Sequence, residues 1–364
     1  MMIGGHKEVP RTPESCDVVV IGGGQAGLAA GYYLRRAGLD YVILDAQSRP
    51  GGAWGHGWNS LRLFSPAEYS PLPGWGMPRQ EGEGFPTSDH VVDYLRAYEQ
   101  RYDLPLRRPV RVQAVRPAGE RLAVQTTASS WLARYVISAT GTWECPYLPD
   151  IPERHDFAGR QLHTVDYTSP EEFRGQRAVI VDGGNSAAQI LAEVSRVADT
   201  TWVTLRPPRL MPDDVDGRVL FGVATRHAAQ DGVAGGGVAG LGDIVMVPSV
   251  RDARDRDVLH AQPMFQRLTT HGIAWPDGTE QPCDAVVWCT GFRPNLTHLE
   301  PLGLPRHDGV VATAGTRSVD EPRLYLLGYG DWTGPASATL VGAGRTAKAT
   351  VADIATRISA QATP

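Results

Sequence analysis

The sequence predicts an α/β protein made of two similar units, the second inserted within the first, and three observations carry this. A β-branched run, DVVVI at 17–21, opens on GGGQAG and a helical pattern. A second run, RAVIV at 177–181, opens on DGGNSA and another helical pattern. Each unit closes alike, with short strands and then an apolar strand ending in Thr-Gly, at WLARYVISATG and again at CDAVVWCTG. Strands apolar on both faces, alternating with amphipathic helices, mark doubly wound parallel sheets. A repeated plan marks two related units.

The first unit meets every spacing. Gly22, Gly24 and Gly27 give G-x-G-x-x-G, the helical pattern LAAGYYLRRAG follows with Gly38 placed to cap it, and the strand YVILD ends on Asp45, 23 residues after Gly22. Gly22 permits the tight turn, Gly24 lets the backbone approach a pyrophosphate, and Gly27 lets helix and strand pack closely. The helix N-terminus offers unpaired amides to phosphates, and Asp45 accepts hydrogen bonds from ribose hydroxyls. This unit is expected to be Rossmann-like and to bind a dinucleotide.

Residues 49–78 are irregular and aromatic, with Trp54, Trp58, Phe64, Tyr69 and Trp75 among prolines and glycines. They form either a loop packed by its own side chains or a wall beside a flat aromatic cofactor. A helix is predicted over 88–102, capped by Ser88 or Asp89, with strands near 108–115 and 121–126.

The second unit starts near 151. Asp182 stands where the first motif glycine belongs, while Gly184 and Ala187 fill the later positions. The strand is read as ending on Arg206, 24 residues after Asp182, where the first unit has an acid. Asp tolerates left-handed backbone angles better than most residues, so the turn is expected to survive. Its charge is the larger problem, because a carboxylate ~5 Å from a phosphate charge repels it by roughly 3 kcal/mol at an effective dielectric of about 20. The glycine-rich stretch 231–242 is a mobile-loop or lid candidate. From 285 the chain is expected to return to the first unit and to end in a helix. The division is thus 1–150 with 285–364, and 151–284.

With 364 residues the chain can hold two cores. Its 42% hydrophobic and 21% charged content is that of an ordinary globular protein, and a net charge of −5 gives no support to a nucleic-acid or anionic-membrane partner. No apolar run reaches the ~18 residues of a spanning helix, and the amino-terminal tail lacks a signal-peptide core, so a cytoplasmic location is expected. Cys16, Cys145, Cys283 and Cys289 form no C-x-x-C pair, which argues against a dithiol redox centre. The histidines show no metal-ligand spacing, and Asp213, Asp214 and Asp216 read as a solvated loop, so no metal is expected.

Several signatures together resemble the flavoproteins with two dinucleotide domains. These are GGGQAG followed by GGAW, ATG at 139–141, TGF at 290–292 and GYGDW near the end. Between the units, FAGRQLHTVDY from Phe157 to Tyr167 matches F-x-G-x-x-x-H-x-x-x-[FWY], the fingerprint of class B flavin-dependent monooxygenases, at every defined position. SLRLFSPAEYSPLPGW, PDDVDGRVLF and GDWTGPASATL are similar to the small flavin monooxygenases associated with arsenic resistance, the ArsO group.

That resemblance implies FAD on the first unit and NADPH on the second. Gly22, Gly24, Gln25, Ala26 and Gly27 would cradle the FAD pyrophosphate, and Asp45 would hold the adenosine ribose with Ala46 beside it. Gly52 and Trp54 would approach the flavin, Val112 would meet the adenine through its backbone, Gly141 would close over the cofactor, and Asp331 would reach the ribityl or pyrophosphate portion. Gly184, Asn185 and Ser186 would meet NADPH, with Arg206 facing the 2′-phosphate. His163 would join and position the domains.

The implied activity is an NADPH-reduced monooxygenase in which oxygen adds at flavin C4a and one atom passes to a small soft nucleophile, a trivalent arsenical among them, or to a carbonyl. Such chemistry belongs mainly to the cofactor, so no side-chain nucleophile is expected. Two rivals stand beside it: an NAD(P)H-dependent flavin reductase or oxidase without C-x-x-C, and a FAD-binding redox sensor with impaired NADPH use, for which Asp182 speaks. The sequence leaves the oligomeric state open.

Overall fold

The computed structural model describes residues 13–82, 84–127, 129–215, 219 and 244–362. The mobile-loop or lid candidate, 231–242, lies outside the described residues, as does Asp216. Two sheets organise the chain, the first mixed and the second wholly parallel.

In the first sheet β1 (Glu14–Ile21) runs parallel to β2 (Tyr41–Leu44), which pairs with β3 (Leu106–Arg107). On its other side β1 pairs with β6 (Ser130–Ser138), reached through β4 (Val112–Ala118) and β5 (Arg121–Thr126), and β6 also pairs with Leu324–Leu326. Burial on both faces explains the β-branched run. Val18 and Val20 pack in one core with Leu28, Leu34 and the C-terminal helix, while Val19 and Ile21 pack in another with Val115, Leu122 and Val124.

Helix α1 (Gln25–Arg36) follows β1 directly. Gly38 ends it as expected: at φ +66° its N–H reaches the Arg35 carbonyl, and Leu39 N–H reaches that of Leu34. Helix α2 (Ser88–Arg101) is capped one residue earlier than expected, by Thr87, whose hydroxyl accepts from His90 N–H at 3.3 Å. Strand β4 likewise starts at Val112 instead of 108.

The second sheet comprises β7 (Arg160–His163), β8 (Arg177–Val181), β9 (Asp199–Thr204), β10 (Ala261–Pro263) and β14 (Ala285–Trp288), all parallel, in the order β10-β9-β8-β14-β7. A small antiparallel sheet of β11 (Arg267–Thr269), β12 (Gly272–Ala274) and β13 (Glu280–Pro282) precedes β14. The sequence assigns 285 onward to the returning segment; instead Ala285–Trp288 pairs on both edges within the second sheet. Helix α3 (Asn185–Val194) packs on this sheet through Ala187, Ala188, Ile190 and Leu191.

Two connectors, 139–152 and 289–295, join the sheets and pair with each other. Tyr147 N–H donates to the Gly291 carbonyl, Arg293 N–H to that of Cys145 and Asn295 N–H to that of Gly141, at 2.9, 2.8 and 3.0 Å. No described helix is long and apolar enough to cross a membrane.

Candidate functional site

A cavity of about 670 Å³ opens where β1, β2 and β6 end, within the range of cofactor pockets, about 300–1,000 Å³. Along the glycine loop its wall is backbone. Gly22 has φ +109°, and a Cβ there would stand 2.4 Å from the Ala139 carbonyl oxygen. Gly52 at φ +54° faces Gly24 so closely that a Cβ on Gly52 would lie 2.9 Å from the Gly24 Cα. The N-terminus of α1 begins at Gly24 with no side chain capping it, so its amides are left for a ligand. Gln25 spans the space, accepting from Trp54 Nε1 at 2.9 Å and donating to the Ala338 carbonyl at 2.5 Å.

The structure brings Gly22, Gly24, Gln25, Ala26, Asp45, Ala46, Gly52, Trp54, Val112 and Gly141 together around this cavity. Gly27 lies behind it, where a Cβ would strike the Gly22 carbonyl oxygen at 1.9 Å, the close helix–strand contact its motif position implies. Asp331 is the exception. It is exposed, outside the lining, and its carboxylate accepts from Ala336 N–H at 3.3 Å.

The aromatic stretch divides between its two readings. Trp54 lines the cavity, Trp58 is buried in the core between α3 and the second sheet, edge-on to Tyr167, and Trp75 packs on Tyr94.

Sequence reasoning missed the floor of the cavity. His298, Ser138, Tyr329 and Thr140 form one hydrogen-bonded chain, with His298 Nε2 3.1 Å from Ser138 Oγ and Tyr329 Oη 2.7 Å from both the Ser138 and Thr140 hydroxyls. Its direction follows from its ends. Thr140 Oγ1 donates to the Asn295 carbonyl at 2.6 Å and Thr140 N–H donates to Tyr329 Oη at 3.3 Å. Tyr329 therefore donates to Thr140, Ser138 donates to Tyr329, and His298 holds its proton on Nε2. Burial pushes the His298 imidazole down to about 4, so it is neutral. No short motif reports a network spread from Ser138 to Tyr329. At the rim, the Arg111 guanidinium holds the Glu144 carboxyl below its usual range.

The loop after β8 has the same shape. Asp182 adopts φ +109°, the value of Gly22, and its N–H reaches the Val203 carbonyl at 2.9 Å as Gly22 N–H reaches that of Leu44 at 2.8 Å. Left-handed backbone strains a non-glycine residue. The carboxylate lies over the loop, with Oδ2 3.2 Å from where a Cβ on Gly184 would stand. Helix α3 begins after its N-cap Gly184, which has no side chain of its own to cap it. Gly184 and Ser186 are half-buried there, and Asn185 turns aside to accept from Val245 N–H at 2.8 Å.

The register corrects one assignment. Val181 pairs with Val203 as Ile21 pairs with Leu44, so Thr204, not Arg206, stands in the place of Asp45. Arg206 lies two residues further on, exposed in the loop beside Leu205, which is 84% exposed.

His163 ties the fingerprint to the connectors. Its Nδ1 accepts from Val165 N–H, so Nε2 carries the proton and donates to the Gly291 carbonyl at 2.9 Å. Its ring meets Phe292 edge-on, Phe292 stacks on Trp143, and Trp143 stacks on His56 at the cavity. Gly159 is required because Phe157's own ring and the Asp284 carbonyl fill the space a Cβ would need. Cys145 lines the cavity, but burial and Glu144 raise its thiol, which disfavours the reactive thiolate. Among the described residues, no group of three or more His, Cys, Asp or Glu is placed to hold a metal, and Asp213 pairs with Arg254 at 2.6 Å.

Two sheets, each with parallel strands that open through a glycine loop into a helix N-terminus, define a protein with two dinucleotide-binding folds. Comparison with known proteins narrows this. The family model described as pyridine nucleotide-disulphide oxidoreductase matches residues 19–219. A flavin-containing monooxygenase from Stenotrophomonas maltophilia is 52% identical, with a TM-score of 0.88 over 95% of this chain and 99% of that one. An uncharacterized CzcO-like oxidoreductase of Geobacillus kaustophilus is 28% identical over 93% of this chain and 98% of its own. At 16% identity the OTEMO structure, complexed with FAD and NADP, shares the fold with a TM-score of 0.71 over 96% of this chain and 87% of that one. The chain belongs to the flavin monooxygenase family, within the pyridine nucleotide-disulphide oxidoreductases, and is an oxidoreductase.

Proposed function

We propose that the chain is an FAD-dependent, NADPH-reduced monooxygenase that passes one oxygen atom of O2 to a small soft nucleophile or a carbonyl compound. The observation that carries this is the pairing of two glycine loops that open into helix N-termini, one in each sheet, across connectors that His163 fastens. Residues 13–150, with the chain after Trp288, form the FAD unit in this reading, and 151–288 the NADPH unit.

The first cavity fits FAD. Its backbone wall admits a pyrophosphate against Gly22 and Gly24, and Asp45 lies at the strand end where a ribose needs an acceptor. The α1 amides stabilise phosphate charge, and Trp54, fixed by Gln25, walls the flavin end. The neutral floor of His298, Ser138 and Tyr329 fixes Thr140, the neighbour of Gly141, without adding charge. On the second unit Gly184, Asn185 and Ser186 would hold the NADPH pyrophosphate and Arg206 the 2′-phosphate. When bound, the flavin supplies hydride acceptance and oxygen activation; the chain binds, orients and keeps water out. No side chain is assigned a covalent step.

The narrower affiliation with the arsenic-resistance group rests on the three stretches quoted above, so a trivalent arsenical is one acceptor to test beside thioethers and ketones. The test is anaerobic reduction by NADPH or NADH, followed by oxygen and each acceptor. Bleaching of the flavin by NADPH, with oxygenated product matching NADPH consumed, is the expected result. Hydrogen peroxide as the sole product with every acceptor would make the protein an oxidase. No bleaching with either nucleotide would favour the redox sensor, the reading that strained, anionic Asp182 supports.

A further inference from the structure

We propose that Arg108 is the positioning residue that fixes Asp45, and that the two act as one unit in holding the adenosine half of the cofactor. This rests on the FAD reading of the first cavity. Arg108 grips Asp45 Oδ2 with two donors, Nε at 2.8 Å and Nη2 at 2.7 Å, and turns the rest of its fork to Glu99, with Nη1 at 3.1 Å and Nη2 at 2.9 Å. The three side chains are only 11%, 6% and 13% exposed. A guanidinium suits this because its planar fork serves two carboxylates at once, which the point charge of lysine does not.

The grip decides which oxygen is left. Oδ2 takes two donors from Arg108, whereas among the described residues Oδ1 receives Gln47 N–H at 3.3 Å and retains capacity for a ribose hydroxyl. The same stretch brackets the Asp45 backbone: Asp45 N–H donates to the Arg107 carbonyl at 3.0 Å, and Val110 N–H to the Asp45 carbonyl at 2.7 Å. From Val110 the chain runs on through Arg111 and Val112 along the cavity. The acid and the neighbouring cavity wall are thus set by one segment.

A second observation agrees. Gly23 is not a required position of G-x-G-x-x-G, yet a Cβ there would lie 2.6 Å from Asp45 Oδ2 and 2.9 Å from Asp45 Cβ. An ordinary carboxylate end would swing away; one held by two donors does not. The clamp thus closes the relief that the carboxylate end could otherwise give, while the Asp45 Cβ, fixed by its backbone, excludes a side chain at Gly23 in either case.

The experiment measures the affinity of apoprotein for FAD, and separately for FMN, in Asp45→Asn, Arg108→Lys and the double variant. Arg108→Met leaves two buried carboxylates side by side and is expected to fold poorly, so Arg108→Lys, which keeps the charge but not the fork, carries the test. Arg108→Lys should weaken FAD at least about tenfold, leave FMN and NADP+ binding unchanged, and add less than about threefold to the loss caused by Asp45→Asn. Unchanged FAD affinity in Arg108→Lys, or losses that add in full, would overturn the clamp. If Asp45→Asn itself leaves FAD affinity unchanged, the assignment of the ribose to this cavity fails first, and the clamp falls with it.

Discussion

The two glycine loops share a backbone and differ in what crowds it. Gly22 and Asp182 have the same φ and donate to matching carbonyls. Around the first, four close approaches exclude a side chain: Gly22 against Ala139, Gly23 against Asp45, Gly27 against Gly22 and Gly52 against Gly24. Around the second there is room. Asp182 carries a side chain, Ala187 fills the place of Gly27, and a Cβ on Gly183 would meet Thr204 at an ordinary 3.6 Å. The comparison teaches that one fold tolerates an acid where close packing around the loop is relaxed, and that packing, more than φ, sets the glycine requirement.

Substituting the same position in each loop tests this most severely. Gly22→Ala should destabilise the protein by roughly 3 kcal/mol or more and release flavin, since backbone strain adds to a clash with Ala139; Asp182→Ala should cost little. Equal melting temperatures for the two variants would break the contrast. Asp182→Gly should tighten NADP+ up to about a hundredfold and raise stability by about 1 kcal/mol. Calorimetric titration checks the affinity, and Asp182→Asn, which removes charge but keeps the strained residue, should recover most of it. An Asn variant that binds no better than wild type would place the whole effect in loop geometry.

Acid should attack the first half selectively. Because the folded His298 imidazole sits near 4, below its ordinary 6.5, the unfolded chain takes up the proton first. Stability from this group is full above about 6.5, falls by roughly 2 kcal/mol by about pH 5, and is spent below about 4. Denaturant midpoints across this range check it, and His298→Asn should flatten the slope. The smallest expected effect is at Arg206→Ala, which should raise the KM for NADPH about tenfold and leave that for NADH unchanged. Equal changes for both would remove Arg206 from the 2′-phosphate site.

Much of this was legible in the sequence because Rossmann units write their geometry into spacing. Gly22, Gly24, Gly27 and Asp45 lie within one strand–helix–strand passage, and the fold followed from two such passages. What the sequence hid depends on register or on distant partners. Arg206 was set opposite Asp45 by counting residues, but the strand pairing gives that place to Thr204. Arg108 is 63 residues from Asp45, and His298 is 160 from Ser138, so neither contact leaves a local pattern. Ala285–Trp288 reads equally well as the end of one unit or the start of the other, because a strand buried on both faces carries no label of its sheet.

The paired connectors have a mechanical consequence. Two separate linkers would let one half tumble against the other about several axes. Here the outgoing and returning strands are laced together, and His163 pins their shared carbonyl at Gly291. A turn of the nucleotide half against the first would have to break these bonds or carry both connectors together, and the ring stack from His163 to His56 ties that joint to the cavity rim.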